Sequence, residues 1–310
     1  MTMRSRWTDI GGPVHYLDFG GPAGAPVIVC VHGLAGSAQN WAALAPLLTG
    51  RYRLLAPDLA GHGLTRSMGR ATSVAANRAL LHRFVESAAG GPVLLMGNSM
   101  GGMISLIEAG TAPDLVSGLI LLDPALPFVP VRPDPLLTAM FALYATPGIG
   151  RLIAASRRRM PPEAAVANVL ALCCADPSLV PPDVVARHVE LARQRAAYTE
   201  AGQDFAAAIR SVIATAGYLH GQAYRRRIDA VRCPVLLLHG AADRLVPVAA
   251  AAAAGRTHPS WSVVILPRVG HVPQLEAPRE CAAEIIAWLA GHGPSPAQPA
   301  AGHGTEGTGR

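Results

Sequence analysis

Short apolar runs alternate with amphipathic segments along the first 124 residues of the chain. The runs have the length of strands buried in a sheet, and they cover 14–19, 27–31, 53–56, 93–96 and 119–122. Segments with a helical pattern lie between or after them, at 40–48, 73–88 and 100–109. Strands that alternate with helices in this way predict a mainly parallel sheet covered by helices on both faces.

The pattern changes at residue 125, where the apolar runs typical of strands stop. For roughly 105 residues the sequence consists of short segments rich in Ala and Leu, separated by prolines that include two Pro-Pro pairs. Such pairs are well suited to open helices. Apolar runs typical of strands return at 234–238 and 262–266, and a helix is predicted at 278–289.

These changes divide the chain into four segments. We expect an α/β core in two parts, at 1–124 and 231–290, which is interrupted by an inserted helical subdomain at 125–230. Residues 291–310 consist mainly of Gly, Pro, Ala and Thr and offer little apolar surface to bury. This last segment is therefore predicted to be a disordered tail.

One corner of the predicted core carries a candidate nucleophile. The segment 92–102 reads Pro-Val-Leu-Leu-Met-Gly-Asn-Ser-Met-Gly-Gly and places Ser99 between a strand and a helix. A strained strand-to-helix turn requires the spacing Gly-x-Ser-x-Gly, because a Cβ atom at Gly97 or Gly101 would collide with the neighbouring turns. The N-terminus of the helix would also bring free N–H groups and a positive dipole end to this corner.

Two more side chains at strand ends are candidate partners of Ser99. Asp243 lies in His-Gly-Ala-Ala-Asp after the sixth apolar run typical of a strand, and His271 follows the seventh and last run. A serine hydroxyl is a poor nucleophile near neutral pH, so an imidazole must take its proton and a carboxylate must hold that imidazole in one tautomer. The backbone N–H groups of Leu34 and Met100 are the candidate oxyanion hole.

Taken together, these motifs resemble the α/β-hydrolase superfamily. The resemblance covers 14–289 apart from the insert, and it includes the order Ser, Asp, His, the His-Gly turn at 32–33, the elbow Gly-Asn-Ser-Met-Gly-Gly, the loop Pro-Asp-Leu-Ala-Gly-His-Gly and the pair Gly-His at 270–271. It implies an α/β fold with a mainly parallel eight-stranded sheet whose first strands pair antiparallel. It also implies a helical cap over the carboxyl ends of the strands and a serine hydrolase that uses no cofactor.

Other residues could fill the same roles. Asp123 also ends a strand and is an alternative triad acid, although the loop of Asp243 resembles the acid loop of the family more closely. Four further residues near the expected site are interpreted as local hydrogen-bonding groups that brace their own loops: His32, Asp58, His62 and His239. No two of the eleven histidines have the spacing of a ligand helix, so no metal site is predicted.

Charge is unevenly distributed along the chain. All 26 basic residues are arginine, and the absence of lysine excludes Schiff-base chemistry and a Walker lysine. Residues 130–232 hold 13 arginines and 8 acidic residues, which accounts for most of the net charge of +6. Attraction of anionic substrates or of a membrane surface would explain this charge, and so would solvated helix faces. Basic and aromatic residues are not interleaved in this segment, so the sequence gives no indication of nucleic-acid binding.

Cysteine usage and hydropathy indicate the compartment. The five cysteines are odd in number and lack the spacing of a zinc finger, which is typical of reduced thiols. No run approaches the roughly 18 apolar residues of a membrane span, and the first residues lack the apolar core of a signal peptide. We therefore expect a cytoplasmic protein without stable membrane insertion, and the oligomeric state is left open.

The cap is expected to determine which substrate binds. Candidate pocket residues are Phe128, Met140, Phe141, Tyr144 and Phe205 in the insert and Val272 beside the candidate base. Packing within the cap is an equal alternative for the insert residues. An aromatic content of 5% favours an aliphatic pocket, and hence a small-molecule ester with an apolar acyl group.

Three reactions are compatible with such a serine. Hydrolysis of a carboxylic ester through an acyl-serine intermediate is preferred. The elbow is also similar to that of hydrolases that cleave carbon–carbon bonds in ring-fission products, but those enzymes usually have a longer glycine-rich stretch after His-Gly and a Trp after the catalytic His. The third reaction is acyl transfer or perhydrolysis through the same serine. A binding module without catalysis would normally lack one of the three residues.

Overall fold

The computed structural model describes residues 3–88, 90–127, 135–146, 148–149, 153, 159–217 and 221–292. The strands are β1 Arg4–Asp9, β2 Pro13–Gly20, β3 Val27–Val31, β4 Arg53–Pro57, β5 Val93–Asn98, β6 Val116–Leu122, β7 Val235–Gly240 and β8 Ser262–Leu266. They form one eight-stranded sheet in the order β1-β2-β4-β3-β5-β6-β7-β8. Only β2 pairs antiparallel with its neighbours β1 and β4, and the other pairs are parallel. The predicted fold class is confirmed.

Strand β1 has no counterpart in the apolar pattern of the sequence. Its residues read Arg-Ser-Arg-Trp-Thr-Asp, and all of them are exposed or half-buried because β1 lies at the edge of the sheet. Such a strand is held by its hydrogen bonds to β2 rather than by a buried face, so hydrophobicity gives no signal for it.

The helices of the described residues lie between the strands and after the last of them. They are α1 Ala45–Leu48, α2 Val74–Ala88, α3 Met100–Ala109, α4 Pro135–Ala145, α5 Pro162–Cys173, α6 Pro182–Arg195, α7 Ala201–Ala216, α8 Gly221–Asp229, α9 Val248–Thr257, α10 Pro273–Glu276 and α11 Pro278–His292. The single helix predicted at 40–48 is wrong. The segment forms a 3₁₀ turn, Ala38–Trp41, and then the short α1, because Pro46 has no N–H with which to continue a helix through it.

Apolar side chains fill both faces of the sheet. Along β5, Val93 and Leu95 pack on the face that carries α2 and α3, whereas Leu94 and Met96 pack on the face that carries α1 and α11. Both sets are buried because β5 lies in the middle of the sheet. The continuous apolar run in the sequence therefore reflects a strand with a hydrophobic layer on each side.

The helices α4 to α8 lie between β6 and β7, where the described residues include no strand. The last of them, α8, packs on α3 of the core: the Tyr224 hydroxyl donates to the carbonyl of Ala125 at 3.0 Å, and Tyr224 belongs to the buried cluster on that face of the sheet. At the other end of the chain, α11 extends to His292 and so enters the segment predicted as a tail by two residues. Residues 293–310 lie outside the described part.

The described helices include none that combines the length and the apolar character needed to cross a bilayer.

Candidate active site

Ser99 occupies a strained corner between β5 and α3. It is the residue before the first turn of α3, and its backbone has φ 54° and ψ −118°. A positive φ is unfavourable for a residue with a side chain, and it persists only where the surroundings enforce it. Two hydrogen bonds do so: the Ser99 N–H donates to the carbonyl of Leu122 at 3.1 Å, and the Ser99 carbonyl accepts from the N–H of Ala125 at 3.0 Å.

The glycines around Ser99 explain why the corner can be this tight. A Cβ atom at Gly97 would lie 2.6 Å from the carbonyl oxygen of Gly101. A Cβ atom at Gly101 would overlap the carbonyl oxygen of Val31 in β3. Since both contacts are with backbone atoms, they cannot be relieved by rotating a side chain. The close approach of β3, β5 and α3 therefore requires glycine at both positions.

His271 and Asp243 are joined by a direct hydrogen bond. The Nδ1 atom of His271 lies 2.8 Å from Oδ2 of Asp243, and both side chains are buried. Oδ1 of Asp243 accepts from the backbone N–H groups of Leu245 and Val246 at 2.7 and 3.0 Å. Burial by itself raises the pKa of Asp243, but the charge and hydrogen bond of His271, the charge of His239 and the hydrogen bond from the Val246 N–H together hold that pKa below its usual value. Asp243 is thus an ionised acceptor that leaves Nε2 of the imidazole available.

The loop that carries His271 is tied to the corner that carries Ser99. The side-chain amide of Asn98 donates to the carbonyl of His271 at 3.0 Å and to that of Leu122 at 3.0 Å. The His271 N–H donates to the carbonyl of Cys173, the last residue of α5, at 2.6 Å. The Ser99 hydroxyl itself has no hydrogen bond to His271 among the described residues. Asn98, which the sequence analysis did not single out, therefore provides the connection between the two loops.

Glu276 is a second residue that sequence reasoning missed. Its buried carboxylate accepts from the N–H of Gly270 at 2.8 Å with one oxygen and from the N–H of Asp176 at 2.7 Å with the other. It thereby links the loop before His271 to the insert. A single glutamate in a short helix gives no sequence signal, because its two partners come from distant parts of the chain.

The turn after β3 brings backbone amides close to Ser99. A Cβ atom at Gly33 would lie 3.0 Å from Cβ of Ser99, so the two backbones run side by side. The next N–H, that of Leu34, has no hydrogen-bond acceptor among the described residues. Met100 is the first residue of α3, where helix geometry leaves the N–H without a partner inside the helix. Neither of the two predicted oxyanion-hole N–H groups is therefore used locally: that of Leu34 has no acceptor among the described residues, and that of Met100 has none within α3.

The alternative acid, Asp123, lies beside Asp243 but is not bonded to His271. It is fully buried and has φ 45°, and its Oδ1 accepts from the N–H of Gly240 at 2.9 Å. Together with His239 and Asp243 it forms a group in which one possible ligand atom from each residue lies within 4.8 Å of the others. Nε2 of His239 donates to the carbonyl of Val246 at 2.9 Å. A cation in this group would therefore compete with hydrogen bonds already made by Asp243 and His239.

His32, Asp58 and His62 brace loops, as predicted. Nδ1 of His32 donates to the carbonyl of Gly33 at 2.8 Å, and Nε2 accepts from the N–H of Leu59 at 3.1 Å. The buried carboxylate of Asp58 accepts from Nδ1 of His15 and from the N–H groups of Ala38 and Leu64. Burial lowers the pKa of His62 to about 3. The two histidines near the turn are therefore neutral structural groups.

The predicted pocket residues contact the insert. The ring of Tyr144 packs edge-to-face on that of Phe205, with centroids 5.3 Å apart. Val272 is buried in a small cluster with residues of α5, α6 and α10: Leu170, Val184 and Leu275. Phe128 lies outside the described residues, and so does the side chain of Phe141. The described members of the set thus pack the insert against itself and against the loop of His271.

Comparison with known proteins identifies the class of this fold and site. A model of the α/β hydrolase family matches residues 28–284. The chain belongs to this family and is an enzyme of the α/β-hydrolase class, as the sequence motifs predicted.

Particular relatives are esterases, lipases and an acyltransferase component. The chain is 30% identical over 267 residues to a pimeloyl-[acyl-carrier protein] methyl ester esterase of Aromatoleum aromaticum, which covers 84% of this chain and 96% of the relative. It is 29% identical over 292 residues to a dihydrolipoyllysine-residue acetyltransferase component of the acetoin cleaving system of Pseudomonas putida, covering 92% of this chain and 69% of the relative. A solved structure assigned as a lipase of Acinetobacter baumannii AYE superposes with a TM-score of 0.76 at 26% identity, covering 93% of this chain and 91% of that one.

Proposed function

We propose that this protein is a serine hydrolase that cleaves carboxylic esters of small molecules through an acyl-serine intermediate. The observation that carries the proposal is the 2.8 Å hydrogen bond between His271 and Asp243. The loop of His271 is in turn hydrogen-bonded to Asn98, the residue before Ser99. Similarity to a methyl ester esterase over most of both chains favours an ester among the substrates of the family.

The proposed reaction has two halves that use the same groups. Nε2 of His271 takes the proton of the Ser99 hydroxyl as the serine oxygen bonds to the ester carbonyl carbon, and Asp243 stabilises the imidazolium. The N–H groups of Leu34 and Met100 hold the negative carbonyl oxygen of the tetrahedral intermediate. The alcohol then leaves with the proton from His271. Water then attacks the acyl carbon as His271 takes its proton, and the bond to Ser99 breaks as His271 returns that proton to the serine oxygen, which releases the acid.

This reaction requires the Ser99 hydroxyl to form a hydrogen bond to His271 once substrate is present. Catalytic hydrogen bonds in unliganded sites are often long and tighten when substrate binds. Because Leu122 and Ala125 hold the backbone of Ser99, we expect this bond to form through a change in the Ser99 and His271 side chains rather than in the Ser99 backbone.

Acyl transfer is a second candidate, favoured by the similarity to the acetyltransferase component of Pseudomonas putida. The acyl-serine would be the same, and an alcohol or thiol acceptor would take the place of water. Cleavage of carbon–carbon bonds is less well supported, because the chain has Leu34, Ala35 and Gly36 after His-Gly and Val272 after His271.

A panel of activated esters with short to long acyl chains tests the proposal. We expect turnover that is highest for an apolar acyl chain, release of free acid as the main product, and no turnover of a ring-fission dienone in parallel assays. An alcohol and a thiol added as competing acceptors distinguish hydrolysis from transfer by the product formed. Turnover of the dienone without turnover of any ester would refute the proposal.

We also propose a reducing compartment, the cytoplasm, for this enzyme. All five cysteines are free, and three of them are buried. Burial raises the pKa of the Cys173 thiol to about 12 and that of the Cys233 thiol to about 11. Neutral thiols of this kind react slowly and behave as small apolar side chains.

A further inference from the structure

A second buried carboxyl group lies next to the candidate triad acid. Asp123 follows β6 and Asp243 follows β7, and the two neighbouring strands bring a carboxylate oxygen of one within 4.8 Å of a carboxylate oxygen of the other. Oδ1 of Asp123 accepts from Gly240, whereas its buried Oδ2 has no donor among the described residues. The backbone of Asp123 has a positive φ, which only four other described residues that are not glycine share, and such a conformation persists only where the surroundings enforce it.

Two carboxylates this close cannot both be ionised out of contact with water. Like charges in one buried site raise the proton affinity of one member of the pair. Asp243 is bonded to His271 and to two backbone N–H groups, all of which stabilise its negative form. Asp123 has one N–H donor, so the proton belongs on Asp123.

The other groups around Asp123 supply no compensating positive charge. The titratable groups that influence it or that it influences are Asp243, His239 on β7, Glu276 on α10 and Cys281 on α11. Burial lowers the pKa of His239 and raises that of the Cys281 thiol, which leaves both neutral. Burial first, and then the charge of Asp243, hold the pKa of Asp123 well above its usual range.

We propose that Asp123 is a positioning residue in the ester hydrolysis inferred above, on which this proposal rests: it stays a neutral carboxylic acid and donates a hydrogen bond from Oδ2 to the carboxylate of Asp243. The pair then carries a single negative charge, located on Asp243. The bond fixes the orientation of the Asp243 carboxylate and disperses its charge, which limits how strongly it stabilises the imidazolium of His271.

The proposal predicts different effects of two Asp123 variants on the pH profile of kcat/KM: almost none for Asp123→Asn and an upward shift of the acid limb for Asp123→Ala. In Asp123→Asn the amide keeps both interactions, since its oxygen accepts from Gly240 and its N–H donates to Asp243. The acid limb of the kcat/KM profile should therefore stay within about 0.3 pH unit of wild type. Asp123→Ala removes the donor, so Asp243 holds the imidazolium more strongly and the acid limb should move to higher pH, by on the order of one unit.

If Asp123 were ionised, the acid limb of the kcat/KM profile would move in the opposite direction. Both variants would then remove a negative charge near His271, the imidazolium would lose its proton more easily, and both acid limbs would move to lower pH. A downward shift in Asp123→Asn, or an unchanged limb in Asp123→Ala, would overturn the proposal. Asp18→Asn is the matched control. Asp18 is a buried carboxylate on β2, away from β6 and β7, and it is paired with Arg6 and Arg53.

Infrared spectroscopy separates this proposal from the proposed function. The carbonyl stretch of a protonated carboxylic acid should be present in the wild type at neutral pH, absent from Asp123→Asn and retained in Asp18→Asn. This band does not depend on turnover, so it tests Asp123 even if no ester proves to be a substrate. A difference spectrum between the wild type and Asp123→Asn that shows only the loss of an ionised carboxylate would contradict the proposal.

Discussion

Replacing Ser99 with alanine should abolish ester hydrolysis, with a loss in kcat of about a million-fold. In the proposed reaction the Ser99 hydroxyl oxygen is the atom that becomes acylated, and alanine offers no atom that could take its place. The measurement is steady-state turnover of the best ester from the panel. Alanine, like serine, disfavours the positive φ at this position, so circular dichroism and thermal unfolding should confirm that the variant is folded.

Ser117→Ala is the matched control for this variant. Ser117 lies near the start of β6, whereas Ser99 follows the end of the parallel neighbouring strand β5, so the two serines are at opposite ends of these strands. The same atoms are removed, and turnover should stay close to wild type. Turnover by folded Ser99→Ala within tenfold of the wild type would exclude Ser99 as the nucleophile.

Replacing His271 with alanine should be nearly as severe, with kcat lower by on the order of 10⁵ to 10⁶. Without the imidazole, the serine hydroxyl has no group to take its proton, and Asp243 is left as a buried carboxylate without its main partner. Since Asn98 and Cys173 bind only the backbone of residue 271, the loop can keep its position in the variant.

His258→Ala provides the comparison for this loss. His258 stacks on Trp261 after α9 and is remote in sequence and element from the corner of Ser99. Its removal should leave turnover near the wild-type level. If His271→Ala retained more than a hundredth of the wild-type kcat while folded, the assignment of His271 as general base would be wrong.

Much of the sheet could be predicted from the sequence because its central strands are buried on both faces. β3, β5, β6 and β7 appear as uninterrupted apolar runs, and a run of that kind has few alternatives to a buried strand. β1 escaped prediction because an edge strand needs no apolar face. The helix at 40–48 was predicted on apolar content alone, and Pro46 overrode it.

The sequence predicted the parts of the candidate site that depend on residues close together in the chain. The corner at Ser99 follows from the glycines at 97 and 101, whose absent Cβ atoms let three backbones meet. The roles of Asn98 and Glu276 and the close approach of Asp123 to Asp243 were not predictable. Each depends on at least one contact between residues a hundred or more positions apart in the sequence, and a single sequence contains no record of such contacts.

The helices between β6 and β7 are bonded to the loop of His271 at the end of α5. Cys173 accepts from the N–H of His271, and Asp176 donates to the carboxylate of Glu276, so the end of α5 is bonded to both sides of this loop. The cluster around Val272 adds apolar contact at the same place. Changes in the insert near α5 are therefore expected to alter the placement of the base as well as the shape of the pocket.

Covalent trapping tests the central claim most directly, because it reports whether Ser99 is activated without requiring knowledge of the natural substrate. A fluorophosphonate probe is incubated with the folded protein, and the modified peptide is located by mass spectrometry. The account predicts one adduct, on Ser99, that is absent from Ser99→Ala and forms far more slowly in His271→Ala. A folded wild-type protein that stays unmodified, or an adduct on another residue that forms equally in Ser99→Ala, would contradict it.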